Sequence, residues 1–103
     1  MLSVEEPVIV GSNVTFTFRP ANYTEPHTLL LLNHDGNKWE NVSFERLYND
    51  ANSRSFSFYI PNAEKTLDGK DFRVMYNRQW GAALRIKMCK YCNLLKFILQ
   101  VYE

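Results

Sequence analysis

Between Val14 and Phe18 the chain alternates without a break, with Val14, Phe16 and Phe18 on one side of an extended backbone and Thr15 and Thr17 on the other. Successive side chains of a strand point to opposite faces, so this spacing specifies a strand with one buried and one wet face. The same period returns twice. From Ser55 to Ile60, Phe56, Phe58 and Ile60 alternate with Ser55, Ser57 and Tyr59; from Asp71 to Asn77, Phe72, Val74 and Tyr76 point inward. No stretch carries the helical period over ten residues. A chain of short alternating strands must bury their apolar faces against one another, which selects an all-β, antiparallel two-sheet sandwich.

The remaining elements follow from turn chemistry. Val8 to Val10 reads as a first edge strand turning at Gly11, and Pro20 to Pro26 as a loop, since proline is confined to edges and turns. Thr28 to Asn33 is expected to be a strand closed by the turn Asn33 to Asn37, where Asp35-Gly36 supplies the positive φ of a tight hairpin, with Lys38 to Phe44 returning. The polar run Asn49 to Ser53 marks a loop, Pro61-Asn62 ends the Ser55 strand, and Ala63 to Leu67 suits one helical turn. Arg78 to Leu95 is long for a hairpin loop; because Ala83 to Met88 still alternates, it reads as an extension of the hairpin before a last strand at Lys96 to Tyr102.

At 103 residues the chain is one domain, 1–103, with room for a core that needs neither disulfide nor metal. A net charge of +1, from 12 basic and 11 acidic residues, provides no field to steer nucleic acid or an anionic membrane to it. No apolar run is long enough to span or insert into a bilayer, and Met1-Leu-Ser-Val lacks the basic and apolar regions of a signal peptide, so Met1 reads as an initiator added for expression. The sequons Asn13-Val-Thr15, Asn22-Tyr-Thr24 and Asn41-Val-Ser43 point to an extracellular glycoprotein, and require all three asparagines to face solvent.

Val14-Thr-Phe-Thr-Phe18, Leu29 to Asn33 ahead of His34-Asp-Gly36, and Asp68 to Val74 resemble strands B, C and F of an immunoglobulin V-set domain. The family's B–F disulfide, strand C tryptophan and tyrosine corner meet Phe18, Val74, Leu30 and Phe72 here, which implies a core pinned by packing alone. The family's strand D arginine, paired with the aspartate before strand F, would be Arg54 with Asp68. Val10-Gly-Ser-Asn-Val-Thr15 and Phe97-Ile-Leu-Gln-Val-Tyr102 resemble the SLAM-type leukocyte adhesion receptors. Loss of the cysteines and tryptophan together, with Cys89-Lys-Tyr-Cys92 before the last strand, is similar to the outer domains of the Alr allorecognition receptors. The Alr resemblance implies an outer domain of a single-pass cell-surface receptor that binds a like domain on an opposing cell, in self/non-self recognition, with a weak homodimer as its soluble form. The alternatives are a viral immunoglobulin-like glycoprotein capturing a host immune ligand, and a heterophilic leukocyte adhesion ligand.

Cys89-Lys-Tyr-Cys92 is the one motif with chemistry of its own: a redox pair, half a zinc site, or a small structural disulfide. Redox chemistry wants a βαβ setting and a helix N-terminus; zinc wants two further ligands, and His27 and His34 stand in the early loops. A local disulfide across a hairpin turn is the expectation. No nucleophile with a neighbouring base, carboxylate pair, phosphate loop or ligand cluster can be read, so the expectation is a non-enzyme without cofactor or metal.

A binding face does emerge. With Leu30, Leu32, Phe72, Val74, Phe97 and Leu99 inward, alternation sends Leu29, Leu31, Met75 and Ile98 to the outer face of the G-F-C sheet, framed by Arg73, Asn77 and Lys96. A contiguous apolar patch on a sandwich face marks an interface. The competing reading covers that strand on both sides with a loop such as Arg78 to Leu95. Trp80, ahead of Gly81, is either a partner anchor or the pin of that loop.

Overall fold

The computed structural model describes residues 1–22, 29–47 and 54–89. Among the described residues, nine strands run β1 Leu2–Val4, β2 Val14–Phe18, β3 Leu29–Asp35, β4 Lys38–Val42, β5 Glu45–Arg46, β6 Phe56–Ile60, β7 Asp71–Tyr76, β8 Gln79–Trp80 and β9 Leu84–Arg85. They form two antiparallel sheets, one ordered β1-β2-β6-β5, the other β4-β3-β7-β8 with β9 also on β7. Strands neighbouring in the chain are split between the two sheets, β1 and β2 joining β5 and β6 in one and β3 and β4 joining β7 in the other, so the connections cross from sheet to sheet. The all-β sandwich expected from the alternation is the fold.

Aromatic stacking occupies the centre. Phe16, Phe58 and Phe72 are fully buried. The Phe16 ring lies 5.6 Å from Phe58 across β2 and β6 and 5.5 Å from Phe72 across the sandwich. Phe18 and Phe56 both pack on Tyr76, at 5.6 and 5.7 Å. Such pairs contribute roughly 0.5–1.5 kcal/mol beyond the area they bury. Phe18, Phe72 and Val74 are all buried.

Two hairpins fix the second sheet. Asp35 pairs with Lys38 across the turn Gly36-Asn37, where Gly36 takes φ 66°. Tyr76 pairs with Gln79 across Asn77-Arg78, both left-handed at φ 47° and 68°, as a two-residue turn of the primed type demands. Beyond β8 the chain steps away from β7 and returns as β9, with Gly81 donating its N–H to the Val74 carbonyl at 2.8 Å. A Cβ on Gly81 would stand 3.4 Å from that oxygen and 3.7 Å from the Phe18 ring, ordinary contact distances that leave room for a small side chain.

Several expectations are corrected. The first strand is Leu2–Val4, paired with Phe16 to Phe18, whereas Val8 makes a single parallel bridge to Met88. The return from β7 comes as β8 and β9, within the hairpin extension expected from Arg78 to Leu95; the expected strand Lys96 to Tyr102 lies outside the described residues. The phase of β3 is opposite to that expected. Leu31 is buried in the core opposite Val74 and Leu29 packs against that core, while Leu30 pairs with Met75 and is 39% exposed, so it takes no part in the central pin. Arg54 is exposed, and Asp68 instead accepts the Met88 backbone N–H at 2.8 Å.

Candidate functional site

Directly opposed residues of antiparallel strands share a face, so the register lays out the outer face of the five-stranded sheet. One row runs Leu30, Met75, Trp80; the next runs Asn41, Leu32, Arg73; in a third, His34 pairs with Trp39 and Asp71 with Arg85. Trp39, Arg73 and Trp80 therefore lie on a diagonal from β4 to β8. Along it the side chains meet. The Arg73 guanidinium carbon stands 4.1 Å from the Trp39 ring centroid and 3.6 Å from that of Trp80.

This Trp–Arg–Trp stack has a physical basis in residue type. A guanidinium is planar, permanently charged and weakly hydrated, so it lies on an indole face as an ammonium does not. Reaching from β7 to β4, the stack crosses β3, whose outward Leu32 is only 7% exposed although it faces away from the core. Strand β3 is thus buried on both faces around Leu31 and Leu32, which meets half of the competing expectation, with the stack lying where a long loop was expected. The Arg73 Nε is buried without a hydrogen-bond partner among the described residues.

The rim is charged and polar. Arg85 donates from Nε to the Asp71 carboxylate at 2.9 Å. That hydrogen bond, opposed by slight desolvation and aided by the Coulombic pull of Arg85 and then His34, holds the Asp71 carboxyl below its ordinary range and raises Arg85. His34 also packs on Trp39 at 5.1 Å. Trp80, 48% exposed, links the face to a shallow cleft lined with Phe18, Asn22, Tyr76 and Gly81.

Of the expected binding residues, Arg73, Met75 and Trp80 are brought together on this face. Leu29 and Leu31 belong to the core side, a correction that follows from the phase of β3. Asn77 sits in the left-handed turn, beyond the strand. Lys96 and Ile98 lie outside the described residues. Asn13, Asn22 and Asn41 are all exposed, as the sequons require. Cys89 is disulfide-bonded, and the chain's other cysteine, Cys92, lies outside the described residues.

Expectation from sequence missed Leu30, Leu32, His34, Trp39, Asp71 and Arg85. Trp39 had a signal: on a strand returning from the Gly36 turn its side is fixed by pairing with His34, two residues from the turn on the other arm. Arginine, methionine and tryptophan on one sheet face are residue types enriched at interface centres, and here the Asp71–Arg85 pair lies at the rim. Neither protein-family models nor curated proteins offer a match to this chain.

Proposed function

We propose that this chain is the outer recognition domain of a cell-surface protein, resembling the Alr-type receptors, whose five-stranded sheet docks face to face on a like domain of an opposing cell. The observation that carries this reading is the Trp39–Arg73–Trp80 stack, set among Leu30 and Met75 on an open sheet face. A second copy suits the face for electrostatic reasons. The net charge of +1 gives copies little reason to repel, and the rim carries an acid and a base side by side in Asp71 and Arg85, so a two-fold contact can set each against its opposite.

Docking is tested by aggregation of densely coated beads, because multivalency reveals weak self-binding that a dilute monomer hides. Wild-type beads are expected to cluster. Met75→Lys and Leu30→Lys, which place a charge on the outer face without touching the core, are expected to disperse them while leaving the melting temperature nearly unchanged. Clustering by both folded variants would overturn the face; dispersal of the wild type would overturn self-recognition.

A further inference from the structure

The third sequon falls on the stack's own face. Asn41 pairs with Leu32, which pairs with Arg73, so these three form one row of the outer face. Asn41 also follows Trp39 by two residues on the same strand, roughly 6.7 Å along it and on the same side. It is exposed, and so is Ser43, the hydroxyl residue of the sequon. By contrast, Asn13 leads into β2 on the opposite sheet.

We infer that Asn41 carries an N-glycan whose first sugars lie against Trp39 and mask the β4 end of the stack, so that the sugar governs access to the docking face. In the transfer, the Asn41 side-chain nitrogen bonds to the anomeric carbon of a lipid-linked diphosphate oligosaccharide, losing one N–H proton as the lipid diphosphate leaves. A sugar offers C–H groups on one ring face and hydroxyls at its edge, which suits an aromatic plane beside water. The unmasked remainder is the Leu30, Met75 and Trp80 row. The consequence for docking rests on the function proposed above; the mask itself does not.

Both tryptophans of the chain belong to the stack, so intrinsic fluorescence reports on this face alone. The protein is to be secreted from mammalian cells behind an added leader and compared with Asn41→Gln, Ser43→Ala and the control Asn13→Gln. Glycopeptide mass spectrometry is expected to find Asn41 occupied; an unoccupied Asn41 overturns the inference. Acrylamide quenching of tryptophan fluorescence is expected to rise in both Asn41→Gln and Ser43→Ala and to stay at the wild-type value in Asn13→Gln. Unchanged quenching in the first two, or an equal rise in all three, overturns the mask. Bead clustering is expected to strengthen when the Asn41 sugar is absent. Increased quenching without clustering in any form would uphold the mask and count against the docking reading, so the two fail separately.

Discussion

Arg73 illustrates how one residue type decides a surface. Lysine would keep the charge but lose the plane, and alanine would lose both. Arg73→Ala is expected to cost about 1–3 kcal/mol, as two partly desolvated cation–π contacts go, and to redden tryptophan emission as both rings gain water. Arg73→Lys is expected to redden emission nearly as much while costing less stability. A blue emission retained in both variants would show that the rings are held by something else. At the rim, the Asp71 carboxyl is depressed by the Arg85 hydrogen bond. A depressed acid contributes stability above its unfolded pKa of about 4 and loses it as pH falls through the lower folded value. Melting temperature is therefore expected to show no Asp71-dependent change between pH 8 and 5. Asp71→Asn should differ from wild type least at the acid end, below pH 4, where the native carboxyl also goes neutral. The pair is open to solvent, so the difference is small throughout.

Element by element, legibility followed the alternation. Strands β2, β6 and β7 were readable because phenylalanine and valine alternate there with serine, threonine or charge, and Arg73 and Met75 came with β7. Strand β3 opens with Leu29 to Leu32, which carries no internal phase, and polar Asn33 misleads because it lies on the core side, half-buried opposite Phe72. A one-residue slip exchanges the two faces. The phase is set instead by the Gly36-Asn37 turn and by pairing with β4 and β7, information that lies outside the strand. Strand β1 was missed because three residues cannot display a period, whereas β8 and β9 fall within the hairpin extension expected from Arg78 to Leu95, without bounds because two residues cannot mark them. Trp39 was missed because Lys38–Val42 is mostly exposed and has no apolar set to announce a face. The phase is testable by placing one charge on either side. Leu31→Lys is expected to lose at least about 3 kcal/mol, or to fail to fold, because an unpaired ammonium would enter the core. Leu30→Lys is expected to melt within a few degrees of wild type. Equal melting temperatures would contradict the register.

Across the whole molecule, the aromatic core does the work that a cross-sheet disulfide does in related architectures. Phe16→Ala removes the ring that touches both sheets and is expected to cost about 3–5 kcal/mol in a denaturant titration. Reducing the Cys89 bond, which closes a short loop if its partner is Cys92, is expected to cost at most about 2 kcal/mol. A larger loss on reduction than in Phe16→Ala would invert that ranking. The segment that leaves β1 and bridges to Met88 at Val8 gives the fold a directional resistance to force. Val8 and Met88 run parallel, and the Cys89 N–H reinforces them with a 2.7 Å bond to the Val8 carbonyl. Tension applied upstream of Val8 and downstream of Cys89 pulls parallel neighbours past one another, loading their contacts together. The antiparallel β7–β8 hairpin, pulled from its two open ends, would peel one bond at a time. A tether that loads the chain through Val8 and Cys89 therefore meets the stiffer geometry, and a domain held that way would yield later than one pulled through the β7–β8 hairpin.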